Sequence, residues 1–294
     1  MSDRPTVALV TTCKGRLHHV RETLPLMVGQ GADQVILVDY DCPDQSGDWV
    51  EAHYPEVDVV RVADAPHFWT SRARNIGAAT ATTDWLVFID ADIKAAPGWV
   101  DWMRESLQPG HVYNVGRLAG DPLDDRYGTF ICERSAFEAL GGYDEVFTGW
   151  GGEDSDIYVR LRDAGVMQDQ YPSHFAAAIS HSNVARADFG ALTSRENRSA
   201  LVSAYTIAKR ELTRALNRPE GLSLQERERL MKTVQDKLSG WLESDNTQPM
   251  PVQISLDRGS FPVSGQHVVN TRLSIVLEVV KSPDNGADSN SQSV

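Results

Sequence analysis

The first half of the chain alternates short, nearly unbroken apolar runs with stretches whose apolar residues recur every third or fourth position. Residues 7–10 form a compact apolar strand ending in Thr11-Thr12, and 17–27 set Leu17, Val20, Leu24 and Met27 at helical spacing. Residues 35–38 predict a second strand that stops at Asp39-Tyr40-Asp41, and 57–62 predict a third. A helix is predicted over 70–79, then a fully buried strand over 85–89 followed by Asp90-Ala91-Asp92. Short continuous apolar strands separated by helices predict a parallel sheet covered on both faces. Ligands of such sheets collect at the carboxyl ends of the strands. Here those ends carry Thr11, Thr12, Asp39, Asp41, Asp90 and Asp92.

Beyond about residue 110 the pattern loosens. Residues 113–115 and 129–132 predict strands joined by a polar loop at 121–125, and 133–140 a short helix ended by Gly141-Gly142. The run Gly149-Trp150-Gly151-Gly152 then opens a helix with Ile157, Val159 and Leu161, closed near Gly165. After residue 190, Thr193 with Glu196 and Ser223 with Glu226 form capping-box pairs before two amphipathic helices. The first presents Leu201, Tyr205, Ala208, Leu212 and Ala215, the second Leu230, Val234, Leu238 and Trp241. Strands are predicted at 252–256 and 272–280, and the Ser-, Asn- and Asp-rich end reads as disordered. The expected organisation is a catalytic region over 1–190, a helical and β extension over 191–281, and a tail over 282–294.

Charge narrows the function. With 41 acidic and 28 basic residues the formal charge is −13, which argues against a nucleic-acid partner. No run approaches the roughly 18 apolar residues of a membrane span, and the start has no signal-peptide pattern. Three widely spaced cysteines, Cys13, Cys42 and Cys132, form neither a disulfide framework nor a zinc pattern, so a soluble, cytoplasmic protein is expected.

Two segments carry chemistry. Asp90-Ala91-Asp92 offers two carboxylates one residue apart at a strand end, a hard-oxygen site for Mg²⁺ or Mn²⁺. The bland reading is a polar strand terminus. Glu153 and Asp154 fall in the first turn of a helix, where the macrodipole favours an ionised carboxylate. A carboxylate at such a loop–helix junction can take a proton from an acceptor hydroxyl. A plain acidic helix start explains the acids but not the preceding Trp150-Gly151-Gly152. His18 and His19 read as solvent-facing, Phe68 and Trp69 as core, and Cys13 as a packing residue.

Together, Gly141-Gly142-Tyr143-Asp144-Glu145 and Gly149-Trp150-Gly151-Gly152-Glu153-Asp154 resemble the acceptor-side signature of GT-A-fold glycosyltransferases. The likeness is to the β-1,4-galactosyltransferase-like group and the related family-two enzymes. Asp90-Ala91-Asp92 resembles their D-x-D element, and Ser71-Arg72-Ala73-Arg74-Asn75-Ile76-Gly77 their A-R-N-x-G element. The resemblance spans roughly residues 5–185. It implies a Rossmann-like nucleotide-sugar-binding mixed sheet flanked by helices, and transfer of a hexose or N-acetylhexosamine from a UDP-sugar to a saccharide or other hydroxyl acceptor. It also implies donor contacts from Thr11, Thr12, Asp39, Asp41, Arg72, Arg74, Asn75, Asp90 and Ala91. Asp92 and His181, with Asp90, would hold Mn²⁺ or Mg²⁺, and His174 is the rival histidine. Asp154 would be the base, with Glu153, Trp150, Gly151 and Gly152 around the acceptor and Asp156 a further candidate.

The chain departs from the animal galactosyltransferases in carrying Ser155 where their acidic run continues, and in having no membrane anchor. Both differences point to a bacterial or phage-like cytosolic enzyme. Polypeptide N-acetylgalactosaminyltransferase-like enzymes, which retain configuration, typically carry Asn where this chain has Asp154, so inversion is expected. The rivals are such a retaining enzyme, a nucleotidyltransferase, and a non-catalytic sugar-nucleotide-binding scaffold. The extension beyond residue 190 is open between an acceptor subdomain, a homodimer interface and a docking module.

Overall fold

The computed structural model describes residues 4–115, 125–148, 151–179, 195–218, 221–242, 249–262 and 268–280. The chain divides into two compact units, residues 1–189 and 190–294.

The first unit is built on a seven-stranded sheet. In chain order its elements are β1 (Val7–Cys13), α1 (Leu17–Val28), β2 (Gln34–Tyr40), α2 (Ser46–His53), β3 (Asp58–Val62), α3 (Thr70–Thr80) and β4 (Trp85–Phe88). There follow β5 (Ile93–Ala95), α4 (Trp99–Ser106), β6 (His111–Asn114), β7 (Phe130–Glu133), α5 (Arg134–Ala139), α6 (Glu153–Asp163), β8 (Met167–Gln170) and β9 (Ala176–Ala178). The strand order is β3-β2-β1-β4-β7-β6-β8, with β5 and β9 forming a separate pair. Strands β3, β2, β1 and β4 are mutually parallel, in keeping with the apolar runs of β1, β2 and β4. The sheet becomes mixed at β7, which runs antiparallel to both β4 and β6.

Alternation along the strands divides the core between the two faces. In β1, Val7 and Leu9 join Leu24 and Met27 of α1 and Trp99 and Met103 of α4. Ala8 and Val10 face the other way, among Phe88, Phe130, Ile157 and Leu161. Burial of α1 also corrects the reading of its histidines: His18 is exposed, but His19 is buried with Val20 on the sheet side. Phe68 and Trp69 pack against Val38, Tyr40 and Ala73, as core.

In the second unit α7 (Arg195–Leu216) and α8 (Leu224–Leu242) precede a hairpin of β10 (Met250–Pro262) and antiparallel β11 (Val268–Val279). The Ser223–Glu226 capping box is formed: the Ser223 amide donates to Glu226 Oε2 at 2.8 Å, and the Glu226 amide to Ser223 Oγ at 3.3 Å. Thr193 lies outside the described residues. The buried face of α7 is Tyr205, Ala208, Leu212 and Leu216; Ala215, expected on it, is exposed because the helical phase puts Leu216 inward. The tail from 282 onward lies outside the described residues. No helix among them is long and apolar enough to cross a membrane.

Candidate active site

The parallel strands end at one rim of the sheet. There the chain leaves β4 through a tight turn in which the Ile93 amide donates to the Asp90 carbonyl at 3.0 Å. This turn holds Asp90 and Asp92 at the strand end. The reversed β7 then brings a second segment to the same rim: Phe130, its first residue, pairs with Phe88, the last of β4. The turn at 125–128 that feeds β7 therefore stands beside Asp90. The third contributor is the N-terminus of α6, reached through Gly151 and Gly152 at φ 93° and 103°. A side chain resists that backbone, so only glycine lets the loop enter the helix at this angle.

One guanidinium joins these parts. Arg74, on α3 and buried, donates from Nη2 to Asp90 Oδ1 and from Nη1 to Asp154 Oδ1, both at 2.6 Å. Its Nη1 also donates to the Tyr143 hydroxyl at 3.1 Å, and the guanidinium lies over the Tyr143 ring at 5.3 Å. Tyr143 in turn packs edge-on against Phe88 and Phe130. The charged cluster thus rests on an aromatic floor supplied by β4 and β7.

Burial shapes the acids. Glu153 is 2% exposed, and its Oε2 finds no partner among the described residues. Desolvation first, and then the charge of Asp154, push its carboxyl up to about 8. Burial also raises Asp154, against the opposing pull of Arg74. At neutral pH Glu153 therefore holds a proton, and the negative charge of the pair rests on Asp154 beside its cation.

A stability prediction follows from the sign. Unfolded, Glu153 ionises near its ordinary 4.5; folded, it keeps its proton to about 8. Its stabilising contribution is full at acid pH and is lost as pH rises toward the folded value. Glu153→Gln removes this loss. Urea unfolding should show the variant gaining on wild type between about pH 5 and pH 8, by on the order of 3–5 kcal/mol. A constant difference across that range would contradict the burial of an ionisable proton here.

The remaining expected residues divide into those at the rim and those holding its walls. Thr11 and Thr12 are buried in β1, and Thr11 Oγ1 has no hydrogen-bond partner among the described residues. Asp39 is committed to its own loop: Oδ1 accepts from the Cys42 amide at 2.8 Å and Oδ2 from the Gly47 amide at 2.7 Å. Asp41, at φ 50°, accepts from the Ala65 amide at 3.1 Å. Lys14, which sequence reasoning missed, ties this corner by donating to the carbonyls of Tyr40, Asp41 and Ala65. Arg72 is exposed and lies over Trp69, whereas Arg74 is turned inward. Asn75 gives its amide hydrogens to the Tyr143 carbonyl and Glu145, and accepts from the Tyr143 amide, so it buckles α3 to the loop before α6. The Ala91 carbonyl accepts from Thr23 Oγ1 at 2.8 Å.

Two alternative candidates fall away from the cluster. Asp156 is fully buried and paired with Arg160 Nε at 2.7 Å, one turn along the same helix, because α6 turns this position toward the neighbouring loop. His174 is exposed on a short turn against Phe175. His181 and Trp150 lie outside the described residues. Cys13 is buried 3.9 Å from the Cys42 sulfur without a bond between them, and burial pushes its thiol up to about 12. It packs rather than reacts.

The comparisons with known proteins follow the same division of the chain. Residues 9–131 match the family model described as glycosyl transferase family 2, and residues 125–183 the one described as the N-terminal domain of galactosyltransferase. Together the two matches span residues 9–183, and over this region the chain resembles family-two glycosyltransferases of the GT-A fold. The chain also resembles the pre-mycofactocin glycosyltransferase of Mycobacterium tuberculosis, at 30% identity over 51% of this chain and 37% of the relative. The chain thus spans little more than a third of that relative's length. GalNAc-T7, solved with UDP, GalNAc and Mn²⁺, superposes with a TM-score of 0.52 at 16% identity, over 85% of this chain and 59% of that one. The Pyrobaculum calidifontis mannosyltransferase PcManGT, solved with GDP-Man and Mn²⁺, gives 0.50 at 16% identity, over 82% and 75%. These superpositions establish the GT-A fold. The overlap of the two matched regions, at 125–131, takes in the turn that feeds β7 beside Asp90 and the start of that strand.

Proposed function

We propose that the protein moves a glycosyl group from a nucleoside diphosphate sugar to an acceptor hydroxyl, with inversion, using Asp154 as the base. The observation that carries this reading is the shared guanidinium: Arg74 binds Asp90 on the donor-side turn and Asp154 on the acceptor-side helix, each at 2.6 Å. A single residue thereby fixes the separation between the acid that faces the departing diphosphate and the acid that faces the incoming hydroxyl. Such fixed geometry is what group transfer requires.

Asp90 and Asp92 fit a divalent cation by donor chemistry, since hard carboxylate oxygens suit Mn²⁺ and Mg²⁺. Arg74 engages Asp90 Oδ1 and leaves Oδ2 free of that bond. The Ile179 amide donates to the Asp92 carbonyl at 2.8 Å, and His181 follows two residues later in the sequence. Asp90, Asp92 and His181 would hold the ion. When bound, it stabilises the charge of the leaving diphosphate. An acidic rim of this kind otherwise repels an anionic donor.

Asp154 accepts the proton of the attacking hydroxyl through its free oxygen while Arg74 holds the other. Protonated Glu153 offers a hydrogen bond to the acceptor without adding a second negative charge. A carboxylate at position 154 supports inversion over retention, because a single base opposite the leaving group is what inversion needs. A UDP-hexose or UDP-N-acetylhexosamine is the first donor to test. The three free, buried thiols support a reducing, cytoplasmic setting.

A thermal-shift screen tests the reading. UDP- and GDP-sugars should raise the unfolding midpoint only with Mn²⁺ or Mg²⁺, reaching about 2.7 kcal/mol of stabilisation at a hundredfold excess over Kd. Chelator or Asp92→Ala should erase the shift. NMR of the product from the best donor then reads the anomeric configuration. Undiminished binding and turnover in chelator would overturn the metal-assisted reading.

A further inference from the structure

We propose that Gly128 is a positioning residue: having no side chain, it lets the turn before β7 lie close against the tip of Arg74 and the oxygens of Asp90 and Asp154 that Arg74 does not engage, and so leaves the three charged groups in the places that transfer needs. The proposal rests on the glycosyl-transfer reading and deepens it.

A β-carbon placed on Gly128 would lie 2.7 Å from Arg74 Nη2, 3.0 Å from Asp90 Oδ2 and 3.1 Å from Asp154 Oδ2. These are the carboxylate oxygens that Arg74 does not engage, since both of its ion pairs use Oδ1. A methyl group at this point therefore crowds the guanidinium and both acids at once. A left-handed backbone does not explain the glycine, because Gly128 is not among the residues of positive φ. Space does. By contrast, Gly77 faces Val10 and Val38 and serves the packing of α3 on the sheet.

The turn cannot back away. Tyr158 of α6 donates its hydroxyl to the Tyr127 carbonyl at 2.8 Å, and Arg126 donates to the carbonyls of Ser173 and Ala176 at 2.8 and 3.1 Å. Arg74 is equally confined, buried against Tyr143. A methyl group at 128 must displace the three charged groups themselves.

The test compares Gly128→Ala with wild type in three measurements: transfer kinetics with the best donor of the screen, calorimetric affinity for UDP or GDP with Mn²⁺, and the unfolding midpoint. Transfer should fall about a hundredfold, the scale of a misplacement of roughly 1 Å, and by more than nucleotide affinity does, since of the displaced acids only Asp90 would hold the ion. Gly128→Val should remove transfer entirely. A thermal double-mutant cycle with Arg74→Lys supplies a readout independent of activity. The shorter cation withdraws from the methyl, so Gly128→Ala should lower the midpoint in the Arg74 background and not in the Lys background. The cycle also serves if Gly128→Ala alone does not fold. Wild-type transfer by Gly128→Ala, equal losses of transfer and nucleotide affinity, or additive thermal effects would each overturn the proposal. A wild-type protein that transfers from no donor defeats the functional reading instead, and this inference with it.

Discussion

Asp154→Asn should reduce transfer by about 10²–10⁴-fold, the usual contribution of a general base, and leave nucleotide affinity nearly intact. Asn keeps the shape of the side chain and still presents an oxygen to Arg74 Nη1, so the 2.6 Å contact has a neutral replacement. It cannot take a proton. The residual rate should also lose the rise with pH that wild type owes to ionisation of the Glu153–Asp154 pair. Steady-state kinetics across pH, with calorimetry on UDP or GDP and Mn²⁺, separates the roles. Parallel loss of binding and rate would assign Asp154 to holding the site together rather than to proton transfer.

Arg74→Met should produce the largest loss of stability, about 3–5 kcal/mol, because removing one partner leaves buried charge uncompensated. Arg74 is 5% exposed and compensates Asp90 and Asp154 directly, with Glu153 close by. The loss must depend on pH in a stated direction. Without the cation Asp154 holds its proton to higher pH, so the variant suffers least in acid, where the carboxyls are neutral, and most in alkali. Urea unfolding at several pH values measures this. A pH-independent deficit would indicate lost packing on Tyr143 rather than lost charge.

Much of the sheet was legible because β1, β2 and β4 are buried on both faces, and their central runs, 7–10, 35–38 and 85–88, carry no polar residue. The small β5–β9 pair was not. Three residues such as Ala176-Ala177-Ala178 have neither the length nor the β-branched character that marks a strand. Helix α2 escaped notice because it is short and opens on Ser46, Gly47 and Asp48, residue types that favour turns. At the site, the acids themselves were visible as motifs, but their connection was not. Arg74 stands 16 residues from Asp90 and 80 from Asp154, and only the fold makes it the link. Asp39 shows another limit: its strand-end position was legible, but the bonds of its two oxygens to amides of the next eight residues were not. Gly128 carried no signal, since one glycine after Asp125-Arg126-Tyr127 looks like any loop.

The reversal of β7 has an evolutionary consequence. Had that strand joined the sheet parallel to β4, the loop ahead of it would emerge at the far rim. Its antiparallel course delivers the segment before Phe130 to the reacting end, while the nucleotide-side loops come from strands earlier in the chain. Two separately encoded stretches thus meet at one seam. On the proposed reading, the acceptor side can thus change through the interval ahead of β7 while the earlier strand-end loops stay as they are.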